Sequence, residues 1–506
     1  MNLDHLKNKI AIVGVGYTPQ GKVPGRTAIS FHCEAVANAI ADAGISKNEI
    51  DALYAYRHFD ALAGDFDLTC YALAEQLGIR PAVISQEYFC TRGWLYEAIG
   101  LLTSGLARYF VISYGDNARS GRRSFVKELK DGKSTDDLAV FGDLSTMAKY
   151  AMQARRAMDT YGTGPDVWKE ISLAQRDWAQ LNPIAGMHGK PLNDEAYYAS
   201  EMVAAPFRML DATPTSDGGR ALVLTTVERA KALGHPYVVI RGFGSANQPV
   251  SPSRRRVEDA ESAAYLASRQ AFDMAGVTPA DIDACEFYDC FTYTVEATLR
   301  DYGFFKKEQV RDFITRERLA PGGSLPVNTS GGMLSEAYFM GLTPLAESVM
   351  QRQRRGLPGP RGDDFGERGI SMTEFFEPRI SADTKAYWDG CREHKLMVQK
   401  CKVCGRLRIP ASYVCQNCLS TETELVEMKP EGTLYSFVVM HRAFHPSVQD
   451  KVPYIVATID LSEDVRILAN MFDVDPDELK CGAEVTIDFA DSETYSRPIA
   501  KLKEKK

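Results

Sequence analysis

Residues 326–341, PVNTSGGMLSEAYFMG, are the stretch from which the fold of this chain is best predicted. A short apolar run ends at Val327, and the residues from Asn328 to Gly332 have the composition of a tight turn before a helix. The adjacent Gly331 and Gly332 permit a positive φ, or a close approach of backbone where a Cβ would clash. A helix that starts here would direct N–H groups toward a bound anion or an oxyanion. The alternative interpretation is a glycine-capped connection between a strand and a helix, without a role in chemistry.

Length and composition are typical of a soluble globular protein with several domains. The chain has 506 residues, 45% of them hydrophobic, and a formal net charge of −8. A chain of this length has room for about three domains of ordinary size. The mild charge, and the lack of a basic run with interleaved aromatic residues, argue against nucleic acid as the main partner. The sequence has neither a signal-peptide pattern nor a membrane-spanning apolar window, so we expect a cytoplasmic protein.

Four of the eleven cysteines form one short cluster. Two Cys-x-x-Cys pairs are separated by ten residues, a spacing typical of two knuckles around one tetrahedral Zn²⁺; the four residues are Cys401, Cys404, Cys415 and Cys418. Four thiolates leave no open coordination position, so this zinc would be structural, and loss of one thiolate would unfold the ribbon. The alternatives are two disulfides or free thiols. The remaining cysteines are scattered, which favours a reducing compartment over a disulfide framework.

Two segments of the chain repeat each other. Ala43-Gly44 is followed by Ile50-Asp51-Ala52, and Ala275-Gly276 is followed by Ile282-Asp283-Ala284, at an offset of 232 residues. Each copy follows an amphipathic helical pattern and precedes an apolar or aromatic run, which predicts two similar α/β halves; the alternative is coincidence.

From Lys385 onward the pattern changes to short alternating runs with turn residues between them, as in a small β-barrel. The predicted domains are an N-terminal half, a C-terminal half, a helix with the zinc ribbon, and the barrel, at residues 1–250, 251–380, 385–425 and 426–506.

Residues 9–378, hereafter the α/β region, resemble the sterol-carrier-protein-type thiolases. The resemblance rests on Asn182-Pro183, Ala205-Pro206, Asp217-Gly218-Gly219 and residues 328–341, where thiolases have Asn-x-x-Gly-Gly-x-x-x-x-Gly-His-Pro-x-Gly. It implies a thiolase-like five-layered αβαβα fold of two similar halves, and a homodimer.

The C-terminal part resembles the domains that accompany thiolase-like proteins, a rubredoxin-like zinc ribbon and an oligonucleotide/oligosaccharide-binding (OB-fold) barrel. Tyr387-Trp388, the cysteine cluster and Val452-Pro453-Tyr454 carry this resemblance. In those proteins the barrel is associated with acyl-CoA handling or partner docking, so the barrel does not imply a nucleic-acid partner.

The sequence departs from thiolases at both catalytic histidines. Cys90 occupies the nucleophile position, in a strand–Cys-x-x-Gly–helix–strand arrangement, but the histidine positions hold Tyr288 and Tyr338. A histidine with a pKa of about 6.5 can deprotonate a thiol at neutral pH, whereas a tyrosine with a pKa of about 10 does so poorly. We therefore expect Cys90 to contribute to substrate binding. The alternative is a thiolase-type acyl-CoA acyltransferase that uses Cys90 as its nucleophile.

A tyrosine at both positions resembles the lipid-transfer-protein-like aldolases of bacterial steroid side-chain degradation. Those enzymes act with a separate zinc-ribbon and barrel partner, which is fused in this chain. The resemblance implies a carbon–carbon lyase that cleaves a β-hydroxyacyl-CoA, such as a steroid side chain, by a retro-aldol reaction. The products would be a ketone or aldehyde and a short acyl-CoA such as propionyl-CoA. Coenzyme A is then part of the substrate, and an enoyl-CoA hydratase is a candidate partner.

Each candidate residue has an expected role in that reaction. Tyr288 and Tyr338 would be the acid–base pair, and a tyrosinate could act as the base if its pKa were lowered. Asn328, Gly331 and Gly332 would bind the substrate, with N–H groups of the glycine turn holding the enolate oxygen. Asp289 is equally consistent with orienting its neighbours and with capping the next turn. A catalytically inactive scaffold that binds acyl-CoA is the third interpretation.

Overall fold

The structure is a computed structural model in which helices and strands alternate along most of the chain. It describes residues 4–56, 69–87, 93–120, 133–134, 146–247, 262–353, 377–378, 385–409, 411, 415, 417–418, 420–443, 451–472, 474–492 and 495–503. The helices are α1 Ala28–Ala43, α2 Thr69–Leu77, α3 Trp94–Thr103, α4 Thr146–Tyr161, α5 Pro165–Leu181, α6 Asp194–Ala199, α7 Val227–Leu233, α8 Ala263–Ala275, α9 Thr292–Asp301, α10 Val310–Phe313, α11 Arg316–Leu319, α12 Gly332–Ser335, α13 Leu342–Gln353 and α14 Lys385–Arg392. The strands are β1 Ile10–Tyr17, β2 Ile50–Tyr56, β3 Val83–Glu87, β4 Tyr109–Asn117, β5 Lys133–Ser134, β6 Met202–Ala205, β7 Phe207–Arg208, β8 Asp217–Thr226, β9 Val238–Ile240, β10 Glu377–Pro378, β11 Leu396–Cys401, β12 Leu407–Arg408, β13 Thr423–Met428, β14 Glu431–Met440, β15 Tyr454–Asp460, β16 Arg466–Met471, β17 Glu484–Asp491 and β18 Ser496–Leu502.

The first half is built on a six-stranded sheet in the order β3-β2-β4-β8-β1-β9. Strand β2 is parallel to β3 and β4, whereas β8 is antiparallel to both β4 and β1. Helix α1 packs against β1 at very short distance, since a Cβ on Gly14 or Gly16 would lie 2.3 Å or 1.8 Å from a carbonyl oxygen of the helix. Thr27 caps the start of α1 through the N–H of Ser30, and Gly44 ends it with a φ of 66°.

The repeat in the sequence is also a repeat in the structure. Helix α8 ends at Gly276 with a φ of 67°, as α1 ends at Gly44. Gly242 and Gly244 approach α8 as closely as Gly14 and Gly16 approach α1, with Cβ-to-carbonyl distances of 2.3 Å and 2.0 Å. The helix of each repeat copy is therefore in close contact with a glycine-containing extended segment.

The apolar and aromatic segment at the end of the second repeat copy, residues 283–292, does not form a regular strand. Within the described residues this segment makes isolated bridges, one of which is a parallel bridge between Cys285 and Val327. Backbone hydrogen bonds from Cys285 to Pro326 and from Asn328 to Cys285 support that bridge. Side-chain hydrogen bonds hold this segment in place in addition to these few backbone bonds. Those contacts belong to the candidate site described below.

The C-terminal part contains the ribbon and the barrel. Strands β12, β11 and β13 form a three-stranded antiparallel sheet that carries Cys401. Strands β15, β16, β18, β17 and β14 follow one another around a barrel, and a direct pairing of β14 with β15 closes it. At the end of β14, Val439 and Met440 pair with Ala205 and Ala204 of β6, so a strand of the α/β region extends the barrel sheet.

The barrel and the α/β region share one hydrophobic core. Trp168, Phe207 and Phe291 of the α/β region belong to the same buried cluster as Val438 and Leu468 of the barrel. Helix α4 lies across the junction, and the guanidinium of Arg155 on this helix stacks on the ring of Phe437 at 4.7 Å. The two parts are therefore packed as one body along this surface and are not joined by a linker alone.

A single buried hydrogen bond across this junction provides a test. The Ser436 hydroxyl donates to the Met152 carbonyl oxygen at 2.6 Å, between groups 284 residues apart. We expect Ser436→Ala to lower the free energy of unfolding by about 1 kcal/mol, because the buried carbonyl loses a partner. Urea denaturation measures the change. Ser348→Ala is the matched control, because the Ser348 hydroxyl bonds within its own helix, to Pro344. An equal loss in both variants would contradict a stabilising role for the junction.

Candidate active site

Two tyrosines that are 50 residues apart in the chain meet where the 283–292 segment approaches the residues before α13. The hydroxyl oxygens of Tyr288 and Tyr338 are 3.1 Å apart, within hydrogen-bonding distance. Their rings are close to perpendicular, at 70°, with centroids 6.5 Å apart. The Tyr338 hydroxyl also lies 3.0 Å from the sulfur of Met340, which has a positive φ of 52°. The pair predicted from the sequence is thus assembled in space.

The tyrosine pair is accessible to a substrate. Tyr288 is 37% exposed, and Tyr338 is half-buried between two hydrophobic clusters. The helix α4 residue Tyr150 stacks on Phe291, three residues after Tyr288, with ring centroids 4.9 Å apart. Tyr150 therefore belongs to the wall of the site. Sequence reasoning missed this residue, because α4 shares no motif with either tyrosine segment.

The electrostatic environment favours the neutral form of Tyr288. Desolvation of its hydroxyl, followed by the effects of Tyr338 and Cys290, raises the pKa of Tyr288 well above 10. Burial therefore disfavours the tyrosinate with a lowered pKa that the sequence left as one option for Tyr288. A neutral phenol can donate one hydrogen bond and accept another, so the pair can pass a proton from one oxygen to the next.

The N–H groups that follow the two glycines of the turn donate to a carboxylate of the protein. The N–H groups of Met333 and Leu334 donate to the two carboxylate oxygens of Asp289, at 3.0 Å and 3.2 Å. Gly332 has a positive φ of 62°, and a Cβ there would lie 2.2 Å from Asp289 Oδ2. These two N–H groups bind Asp289 in this structure, and a contact of the glycine turn with an enolate stays a prediction. The close approach that the glycines allow is to Asp289.

Asn328 and Gly331 are also occupied by contacts within the protein. Asn328 is fully buried, and its side-chain amide accepts from the Phe287 N–H at 2.7 Å and donates to the Phe287 carbonyl at 3.2 Å. A Cβ on Gly331 would lie 2.9 Å from the Cβ of Ala179 on α5. In this structure both residues contact other parts of the protein, and their predicted contact with substrate stays a prediction. Cys90 lies outside the described residues, so its predicted role in substrate binding stays a prediction.

Three sequence families match consecutive parts of the chain. Residues 246–359 match the thiolase C-terminal domain-like family. Residues 388–424 match the rubredoxin-like zinc ribbon domain of ChsH2, and residues 425–490 match the C-terminal OB-fold domain of ChsH2. The thiolase-like fold, the ribbon and the OB-fold barrel predicted from the sequence are thereby confirmed.

Two curated relatives decide the family. A 17-hydroxy-3-oxo-4-pregnene-20-carboxyl-CoA lyase from Mycobacterium tuberculosis is 33% identical over 366 residues, which cover 69% of this chain and 92% of the relative. A steroid side-chain-cleaving aldolase from Thermomonospora curvata is 32% identical over 367 residues, covering 68% of this chain and 90% of the relative. The chain belongs to the steroid side-chain-cleaving aldolase family.

A solved structure of this aldolase family has the same fold. The Ltp2-ChsH2(DUF35) aldolase superposes with a TM-score of 0.60 at 32% identity, covering 68% of this chain and 89% of that chain.

A further relative matches only part of the chain: 116 residues are 30% identical to a probable enoyl-CoA hydratase alpha subunit from Thermomonospora curvata and cover 36% of it. Among the described helices of this family member, none is both long enough and apolar enough to cross a membrane.

The four cysteines of this aldolase-family member fit a structural zinc ion. Their sulfur atoms all lie within 4.8 Å of one another, and Cys401–Cys418 and Cys404–Cys415 are each 3.5 Å apart. A tetrahedral Zn²⁺ with Zn–S bonds of about 2.3 Å separates its sulfurs by about 3.8 Å. Hydrogen bonds from backbone N–H groups, led by that of Cys404, hold the pKa of Cys401 below its ordinary value, which favours the thiolate.

A buried ion pair lies behind Tyr338. Arg220 and Glu336 are 2.6 Å apart and their side chains are almost completely buried. The Arg220 guanidinium stacks between the rings of Tyr17, at 3.9 Å, and Phe339, at 4.7 Å. The pair fixes the backbone on both sides of Tyr338. The sequence did not reveal it, because the partners are 116 residues apart and share no motif.

Two further carboxyl groups lie behind Tyr288. The Thr329 hydroxyl oxygen is 2.6 Å from Glu286 Oε1 and 2.8 Å from Glu347 Oε1. A hydroxyl has one proton to donate, so the second contact requires a proton on one of the carboxyl groups. Burial, followed by the neighbouring carboxylate, raises the pKa of Glu286 well above its ordinary value, and burial also raises the pKa of Glu347. The short contact and both pKa shifts favour a proton on this pair in the folded protein.

This proton makes stability depend on pH. A carboxyl group whose pKa is raised by folding binds more protons in the native state, so stability falls as pH rises from its unfolded to its folded pKa. We expect Glu286→Gln to reduce the loss of melting temperature as the pH rises above about 4.3, the ordinary pKa of a glutamate, because the amide does not ionise. Thermal melts at several pH values measure the slope. The exposed Glu308→Gln is the control, and equal slopes in the two variants would contradict the assignment.

Proposed function

We propose that this protein cleaves a β-hydroxyacyl-CoA by a CoA-dependent retro-aldol reaction, yielding a ketone or aldehyde and a short acyl-CoA. The observation that carries the proposal is the hydrogen-bonding distance of 3.1 Å between the hydroxyls of Tyr288 and Tyr338, at the positions where thiolases have histidines. The substrate class follows from the relative whose name contains a 17-hydroxy group and a 20-carboxyl-CoA thioester. The hydroxyl in such a molecule is on the carbon β to the thioester carbonyl, and propionyl-CoA is the expected short product.

The reaction needs one proton removed and one proton supplied. The β-hydroxyl proton passes to the oxygen of one tyrosine as the bond between the α- and β-carbons breaks. The β-carbon becomes the carbonyl carbon of the ketone or aldehyde, and the electron pair moves into the thioester enolate. In the same concerted step the first tyrosine gives its own proton to the second tyrosine, and the second tyrosine gives its proton to the α-carbon, so both remain neutral phenols. The reaction neither consumes nor releases a proton overall, as expected for proton transfer through two neutral tyrosines in contact.

The raised pKa of Tyr288 fits this relay better than a permanent tyrosinate. A neutral phenol with a pKa above 10 is a weak acid, and its oxygen is a still weaker base, so it accepts a proton only while it gives its own proton to the neighbouring oxygen. The desolvated surroundings also strengthen each hydrogen bond along the path. The thioester carbonyl is the electron sink of the substrate itself.

The partners and the location are also proposals. We propose a homodimer in the cytoplasm, because β3 is an outer strand of the described six-stranded sheet and an edge strand can pair with a second copy. An enoyl-CoA hydratase is the proposed supplier of the substrate, because adding water to an α,β-unsaturated acyl-CoA yields the β-hydroxyacyl-CoA. The similarity of part of the chain to a hydratase subunit supports such a partner.

The direct test is turnover of a β-hydroxyacyl-CoA with a tertiary hydroxyl on a steroid ring. Release of the ketone and of the short acyl-CoA is followed by chromatography and mass spectrometry. We expect cleavage without added free CoA, since the thioester stays on the short product. A requirement for free CoA, with thiolysis of a β-ketoacyl-CoA that alkylation of Cys90 stops, would overturn the proposal in favour of an acyltransferase. Binding of acyl-CoA without any cleavage would favour the scaffold.

A further inference from the structure

Two side chains connect the segments that carry the tyrosines. Asp289, next to Tyr288, accepts from the N–H groups of Met333 and Leu334. Asn328, in the segment that leads to Tyr338, bonds to both backbone groups of Phe287. Each segment thus places one side chain on the backbone of the other, and we name these four hydrogen bonds the reciprocal clasp.

The clasp is fully buried, and it depends on a glycine. Asp289 and Asn328 are both 0% exposed. A Cβ on Gly332 would lie 2.2 Å from Asp289 Oδ2 and 2.7 Å from Asn328 Nδ2, so any larger residue would push the two side chains apart. The clasp therefore requires glycine at this position for a reason of space, in addition to its positive φ.

We infer that Asp289 is a positioning residue that sets the distance between the Tyr288 and Tyr338 hydroxyls. Tyr288 lies between Phe287 and Asp289, both of which are held by the clasp, and Tyr338 follows Leu334 by four residues. A hydrogen bond weakens steeply with distance and angle, and a shift of about 1 Å in a catalytic group can cost about a hundredfold in rate. This inference rests on the proposed function, because its readout is the cleavage rate.

The test uses Asp289→Asn, which keeps the size of the side chain and one acceptor oxygen. Its amide group would face one of the two N–H donors instead of accepting from it, so the clasp opens on one side. We expect kcat to fall by about ten- to a hundredfold, with KM changed less than about twofold, because the tyrosines move while the binding surface remains.

Asp211→Asn is the matched control. Asp211 is also 0% exposed and accepts from the Arg208 N–H and from the hydroxyls of Tyr197 and Thr292. Burial raises the pKa of both aspartates to about 6, so the two substitutions disturb comparable groups. We expect Asp211→Asn to lower the melting temperature at least as much as Asp289→Asn does, with kcat within about twofold of wild type.

Gly332→Ala tests the clasp while leaving its carboxylate in place. We expect the same loss of kcat, and a double variant with Asp289→Asn that is no slower than the single variants, since both open one clasp. Unchanged kcat in Asp289→Asn, or an equal fall in Asp211→Asn, would overturn the inference while wild-type cleavage kept the proposed function. Absence of cleavage in the wild type would overturn the function itself.

Discussion

Replacing Tyr288 or Tyr338 with phenylalanine is expected to lower kcat by about a hundredfold or more, the usual scale for the loss of a general acid or base. Either change removes one hydroxyl of a pair whose oxygens are 3.1 Å apart, so the path for the proton is broken at one end. The steady-state rate of short acyl-CoA release in each purified variant measures the effect. Circular dichroism confirms that each variant is folded.

The effects of the two substitutions on kcat should not be additive. If the hydroxyls form a single relay, the double variant will be about as slow as the slower single variant, not slower by the product of both effects. Tyr198→Phe is the matched control, since this tyrosine is 43% exposed and far from the pair in sequence. A single variant that retained full activity would contradict the relay and leave one tyrosine as the sole acid–base group.

Loss of zinc is the second change with a large expected effect. Zinc binding to short zinc-finger peptides contributes about 10–16 kcal/mol, and four-cysteine sites in small ribbons have little other core. A strong chelator, or Cys401→Ser, should unfold the three-stranded ribbon sheet. Unfolding should spread to α14, because β11 follows that helix directly and Trp388 on α14 is only 2% exposed.

The measurements are zinc content by mass spectrometry and tryptophan fluorescence, which shifts to longer wavelength when Trp388 becomes exposed. Cys391→Ser is the matched control, because Cys391 is buried on α14 and is outside the cluster of four. We expect that variant to retain stoichiometric zinc. Full retention of zinc and of structure by Cys401→Ser would contradict a four-thiolate site.

The local parts of this protein could be predicted well from the sequence. The strand at Ile10–Tyr17 and the helix at Ala28–Ala43 follow from runs of apolar residues with a capping threonine and a terminal glycine, all within one short stretch of chain. The zinc cluster was equally accessible, since its ligands are close together in the chain and their spacing is itself the signal. The tyrosine pair required the resemblance to thiolases, because no periodicity connects Tyr288 with Tyr338.

The contacts that sequence reasoning missed are long-range. The N–H groups of the glycine turn were predicted to face a ligand, but Asp289, 44 residues before Met333, accepts them. Sequence reasoning missed the Arg220–Glu336 pair and the carboxyl groups around Thr329 for the same reason, because each joins residues from separate elements. A local pattern shows which groups a turn can offer, whereas the tertiary fold decides what receives them.

The shared core has a consequence during synthesis of the chain on the ribosome. Met152 is made 284 residues before Ser436, its hydrogen-bonding partner in the barrel. At about 5–20 residues per second, the interval is on the order of 15 to 60 s. Once Phe291 has been made, the α/β region exposes the apolar surface around Phe207 and Phe291 until the barrel covers it. The nascent chain is therefore most open to chaperone binding, and to aggregation, just before the barrel emerges.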